Sequence, residues 1–164
     1  MYLITDKKLT FGDCIEFKSP KMIDSTDRTK VSIFLAGTID NGDSEDWQEV
    51  VKESFKTYNV AIYNPRRDDW DSNIPQDYDN NELFRQIDWE IDAMNKADII
   101  LMNFLPNSKS PISLLELGLF ADKNKLVVIC PKEFYRSANV YYICNKYNIP
   151  LYYSFEEFKE GANN

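Results

Sequence analysis

"NNELFRQIDWEIDAMNKADIILMNF" (residues 80–104) changes its period partway along. Leu83, Ile87, Ile91 and Met94 recur at the spacing of one helical face, with polar and acidic residues on the other sides. After Asp98 the pattern becomes a continuous apolar run, "IILM", too short for a helix and flanked by polar residues, which predicts a strand buried on both faces. A helix that delivers the chain straight into such a strand is half of a parallel crossover unit.

The same alternation continues in both directions. Upstream lie "VSIFLAG" (31–37) as a strand, "SEDWQEVVKESFKTY" (44–58) as a helix carrying Trp47, Val50, Val51, Ser54 and Phe55, and "NVAIYNP" (59–65) as a strand stopped by Pro65. Downstream lie "SPISLLELGLFADK" (110–123) as a helix, "KLVVICP" (125–131) as a strand, a polar-aromatic helix over 135–147 and a short strand in "IPLYYS". The pattern predicts an α/β fold of the Rossmann/flavodoxin-like kind, a parallel sheet of about five strands with helices on both faces. Residues 1–30 read as a polar extension in which "MYLIT" and "CIEF" form a possible β-hairpin, and residues 31–164 as the domain proper. Sheets of this kind bind ligands at the carboxyl ends of their strands, near the point where strand order reverses. The segments there are "GTIDNGD", "NPRRDDWDS" and "NFLPNSKS", the last opening on Asn103.

Composition narrows the chemistry. A chain of 164 residues, 43% hydrophobic and 28% charged, suits one folded unit. Its net charge of −8 argues against a nucleic-acid polymer as partner, because that surface needs clustered Lys and Arg. The longest apolar runs are strand-length, so neither a membrane span nor a secretory segment is expected. Three cysteines without metal spacing suit a reduced, cytoplasmic setting. The absence of histidine excludes Ser-His-Asp and Cys-His machinery and leaves acid–base work mainly to carboxylates. No metal and no cofactor is implied, and "GTIDNGD" lacks the G-x-G-x-x-G spacing of a dinucleotide site.

One carboxylate stands out. In "PISLLELGLF" (111–120) Glu116 sits among seven apolar residues, and on a helical wheel it falls between Ile112 and Phe120. Apolar side chains in nearly every direction predict a helix buried on most sides, with Ser110 as N-cap and Pro111 at the first helical position. An ionised carboxylate there costs several kcal/mol, on the order of the effective penalty for a buried ion, unless it is paired or faces a cavity. The candidate roles are a solvated face, a buried ion pair, or the lining of a ligand site. On the preceding helix Glu90 lies at the edge of the core-facing stripe beside Leu83, Met94 and Ala97, Asp88 near its opposite edge, and Asp92 well away from it. Two carboxylates from helices flanking "DIILMNF" can therefore approach one cleft, as a nucleophile and a general acid do.

"IFLAGTIDNG", "QIDWEIDAMNKADIILMNF" and "SPISLLELGLFADKNK" together resemble the nucleoside 2-deoxyribosyltransferase family and its nucleotide N-hydrolase relatives, over roughly residues 31–131. The specific part is the "ELG" element shortly after the "ADII" strand. The resemblance implies cleavage of the N-glycosidic bond of a 2′-deoxynucleoside through a covalent deoxyribosyl ester, with the sugar passed to another nucleobase. The family's nucleophile falls on Glu116. Its general acid, counted back from Asp98, falls on Glu90, where relatives carry aspartate; Asp88 is the alternative. Ser110 stands where deoxynucleoside transferases carry an acidic side chain and the 5′-monophosphate hydrolases a serine near a helix start, so the resemblance also admits a 2′-deoxynucleoside 5′-monophosphate N-glycosidase that uses water as acceptor.

Gly37, Thr38 and Ile39 match the family's sugar- or phosphate-contacting turn, and "NPRRDDW" its base pocket. There Arg66 or Arg67 is expected to reach a phosphate, Asp69 a base edge, and Trp70 to stack on a base. Relatives often carry a tyrosine that orients the nucleophile; the aligned residue here is Ile33, with Tyr63 a candidate replacement. That departure keeps open a non-catalytic nucleotide-binding module. The implied partners are a small deoxynucleoside or deoxynucleotide, a nucleobase, and further copies of the chain in a homo-oligomer.

Overall fold

The computed structural model describes residues 2–39 and 44–162; the "DNGD" part of the first glycine loop lies outside the described residues. Strands β1 (Tyr2–Ile4) and β2 (Lys7–Leu9) pair antiparallel as a hairpin. The remaining strands are β3 (Ile15–Lys18), β4 (Val31–Gly37), β5 (Val60–Asn64), β6 (Ile99–Asn103), β7 (Leu126–Ile129) and β8 (Leu151–Tyr152). They form one parallel sheet in the order β3-β5-β4-β6-β7-β8. Helices α1 (Trp47–Ser54), α2 (Asn81–Lys96), α3 (Pro111–Phe120), α4 (Ser137–Lys146) and α5 (Phe155–Ala162) complete a Rossmann-like α/β fold. Among the described residues no helix is long and apolar enough to cross a membrane.

The sheet has six strands rather than about five. The addition is "IEFK" of the N-terminal extension, which runs along β5 from Ile15 opposite Ala61 to Lys18 opposite Asn64. An edge strand has one flank unpaired, so it carries alternating polar residues and lacks the apolar run that marks the inner strands. The extension thus splits into a hairpin and a sheet edge. Helix α5 also goes beyond the sequence reading, which ended at the last short strand. It is anchored by Phe155 and Phe158 and started by Ser154, whose Oγ accepts from the Glu157 amide.

Strand parity sorts the core into two layers. Phe34, Ala36, Ala61, Tyr63, Ile100, Met102, Leu126 and Val128 face α2, α3 and α4. Ile33, Leu35, Val60, Ile62, Ile99, Leu101, Val127 and Ile129 face α1, α5 and the hairpin. The chain leaves β4 toward β5 on one side and returns to β6 on the other, so strand order reverses between β4 and β6. Their carboxyl ends, Gly37 and Asn103, are direct partners. A Cβ on Gly37 would lie 2.0 Å from the Asn103 carbonyl oxygen, and its φ of +128° is a value that L side chains rarely adopt; only glycine fits there.

Two helices are set by specific contacts. Asn80 caps α2 by accepting from the Leu83 amide, and the Lys125 ammonium closes its far end by donating to the carbonyls of Met94, Asn95 and Ala97. Helix α3 is not buried on most sides as its composition predicts. Ser113, Glu116, Leu117 and Phe120 face inward, while Ile112, Leu115 and Leu119 are exposed, Leu115 at 67%. Its start also differs from the expected cap. Ser110 adopts a left-handed backbone (φ 43°, ψ 54°), and its hydroxyl does not cap the helix.

Candidate active site

At the reversal point a cavity of about 330 Å³ opens between α2, α3 and the carboxyl ends of β4 and β5. Its apolar wall includes Phe34, Ala36, Ile39, Trp70, Leu83, Ile87 and Ile112, and its polar groups include Arg66, Arg67, Gln76, Gln86, Glu90, Ser110, Ser113 and Glu116. The size and the mixture fit a nucleoside-sized ligand.

Glu116 comes from the middle of α3, on the inward face with Ser113 and Leu117, and is 9% exposed. Glu90 comes from α2, one turn after Gln86 and on the same side as Leu83 and Ile87. Both therefore meet in one cavity. Burial pushes the Glu116 carboxyl up to about 8, and the neighbouring Glu90 raises it further within that value. Burial likewise pushes Glu90 up to about 7, against a hydrogen bond from Gln86 that stabilises its ionised form. Carboxylates so placed exchange protons near neutral pH and titrate as a pair.

Gln86 is itself locked. Its Oε1 accepts from the Ser19 hydroxyl at 2.6 Å and its Nε2 donates to the Pro65 carbonyl at 3.1 Å. The N-terminal extension thereby reaches the site through Ser19, Gln86 and Glu90.

At the N-terminus of α3 three buried hydroxyls close a triangle. Thr38 Oγ1 lies 2.6 Å from Ser110 Oγ and 2.8 Å from Ser108 Oγ, and the two serines are 2.8 Å apart. The Leu105 amide donates to Thr38 Oγ1 and the Trp47 indole N–H to the Thr38 carbonyl. Ser110 faces the cavity and Thr38, fully buried, stands behind it. Opposite, the Arg66 guanidinium donates to the carbonyls of Ser44 and Glu45 and to Gln48 Oε1, which ties the start of α1 to the end of β5. Arg67 pairs with Asp69 at 3.0 Å and Glu82 at 3.6 Å, and its guanidinium lies 5.4 Å from the Trp70 ring.

Of the residues singled out for the site in the sequence, Gly37, Ile39, Arg66, Arg67, Trp70, Glu90, Ser110 and Glu116 line this cavity. Four do not. Thr38 supports Ser110 from behind, and Asp69 turns outward to Arg67. Asp88 lies on the solvent side of α2. Asn103 shares the parity of Ile99 and Leu101 and so projects from the opposite face of the sheet. The tyrosine question resolves similarly. Ile33 faces α1 and α5, the Tyr63 hydroxyl meets Ser32, and the β4 side chains lining the cavity are Phe34 and Ala36. Sequence reasoning passed over Gln86, Ser108 and Ser113. Gln86 had a usable signal, one turn before Glu90 on the same face.

Comparison with known proteins adds the lineage. No curated protein matches the sequence. The family model described as nucleoside 2-deoxyribosyltransferase like matches residues 30–134, well over half of the chain, from the start of β4 through β7, and the protein belongs to that family.

Proposed function

We propose that the protein is an N-deoxyribosyl transferase that uses Glu116 as nucleophile and Glu90 as general acid. The observation that carries this reading is the meeting of two carboxylates, from separate helices, in one largely apolar cavity. An ionised Glu116 oxygen attacks C1′ of the deoxynucleoside. The C1′–N bond breaks, its electron pair leaves with the base, and Glu90 supplies the proton that the departing nitrogen takes up. A second base then attacks C1′ of the ester, Glu90 receives the proton released by that base, and Glu116 leaves as carboxylate. Burial holds both carboxyls well above the usual carboxylate range, so the pair retains a proton near neutral pH. A base docked against Glu90 favours its protonated form, and the positive charge growing on C1′ favours ionised Glu116, so substrate selects the productive arrangement of one shared proton.

A second reading has its own support. Ser110, Arg66 and Arg67 all face the cavity, a set suited to a 5′-phosphate, with water as the acceptor. Incubating a deoxynucleoside and a deoxynucleotide, each with and without a second free base, separates the two: base exchange marks a transferase, free sugar phosphate an N-glycosidase. Base release that survives Glu116→Ala overturns both, and tight nucleotide binding without turnover in the unmodified protein marks a binding module.

The family reading also carries a homo-oligomer. Its surface in this reading is the outward stripe of α3, where Ile112, Leu115 and Leu119 are exposed. Ile112 adjoins the cavity as well, so a second copy seated there shields the mouth of the site.

A further inference from the structure

A second cavity, of about 390 Å³, lies on the opposite face of the sheet at the carboxyl ends of β6 and β7, between the starts of α1 and α5. Asn103 is its distinctive residue. The residue is 7% exposed, projects on the α1 side with the parity of Ile99 and Leu101, and lines this cavity. Among the described residues its carboxamide makes no hydrogen bond, while its backbone carbonyl accepts from the Thr38 amide. Both polar atoms of the carboxamide are accessible at the cavity wall, so its donor and its acceptor are open to water or to a ligand there.

The surroundings restrict that ligand. Trp47, Tyr153 and Phe155 give flat apolar walls. Among the described residues Glu45, Asp46 and Glu156 are the charged members of the lining, with no Lys or Arg beside them in it. The two helix starts are already capped, Asp46 accepting from the Glu49 amide and Ser154 from the Glu157 amide. The three carboxylates of the lining outnumber the two nearest ammonium groups, Lys132 over the Tyr153 ring and Lys159 over the Phe155 ring, so a phosphate or carboxylate is disfavoured. A carboxamide presents one donor beside one acceptor, which matches a planar ring with the complementary pair on one edge.

We propose that this cavity is a second small-molecule site, which takes an uncharged or cationic planar heterocycle with a hydrogen-bond donor beside an acceptor, held by the Asn103 carboxamide between aromatic walls. A free nucleobase is a ligand of this class, whereas a nucleotide is not. The site is separate from the Glu116 cavity and does not rest on the chemistry proposed there.

The test is a titration of the isotopically labelled protein with adenine, followed through amide resonances. The Asn103 side-chain amide is assigned by its loss in Asn103→Leu. Adenine is expected to shift that signal, the Trp47 indole N–H and the amides of Asp46, Leu105 and Ser154, with affinity at these signals falling at least tenfold in Asn103→Leu. Asn103→Ala serves as a second variant should leucine disturb the fold. 2-Pyridone is expected to shift the same group, and N-methyl-2-pyridone, which lacks the donor, and benzoate, which is anionic, are not. The amides of Glu90 and Ser113 report the other cavity separately. Shifts confined to that cavity, shifts unchanged in Asn103→Leu, or equal shifts with benzoate would overturn the proposal.

Discussion

Replacing Glu116 by glutamine should abolish base release and make the protein more stable. The Glu116 carboxyl is raised from 4.5 to about 8 by burial. The folded state therefore holds a proton that the unfolded chain releases. The associated stability is complete below about pH 4.5, declines as pH rises, and is lost once pH passes about 8. At about 1.36 kcal/mol per pH unit, the full cost of ionising Glu116 in place is about 5 kcal/mol, an upper bound that relaxation of the pocket reduces. Glutamine keeps the shape and removes the charge. The advantage of Glu116→Gln over wild type should thus be small at pH 5.5 and grow toward pH 8.5 by as much as about 3 kcal/mol, which for a chain of this size is a melting shift of about 6–12 °C. Urea unfolding at closely spaced pH values measures it. Glu90→Gln gives an internal comparison, because its advantage should level off near pH 7. A variant no more stable than wild type at pH 8.5, or an advantage independent of pH, would show that the Glu116 carboxylate is not held in a water-poor site.

Three other outcomes are expected. The pH profile of kcat/KM should be a narrow bell, rising near pH 7 and falling near pH 8, since the reaction needs one proton on the pair; stopped assays in constant ionic strength buffers check it. Lys125→Met removes the ammonium that closes α2 on three carbonyls and should cost about 1.5–3 kcal/mol in urea unfolding. If the proposed homo-oligomer forms through the outward stripe of α3, Leu115→Glu should reduce the molar mass seen by light scattering to that of one chain, with α/β structure retained by circular dichroism.

The inner strands were legible because a strand covered on both faces must be apolar throughout, and β4, β5, β6 and β7 are. Glu116 was legible for the same reason in reverse, since a lone acid among leucines has few solvated places to go. What sequence could not supply was the face. Asn103 and Ile33 look as near to the site as Phe34 does, and only the sheet's parity sends them to the other side. Helix α3 misled through composition alone. Its apolar residues surround the axis, and nothing in that pattern distinguishes a side packed on the sheet from one turned outward.

Thr38 is completely enclosed, yet its hydroxyl meets Ser110 on one side and its carbonyl meets the Trp47 indole on the other. Thr38 therefore ties the two hollows together, as Arg66 of the first cavity does through the carbonyl of Glu45 in the second. Replacing Thr38 should disturb the walls of both cavities at once.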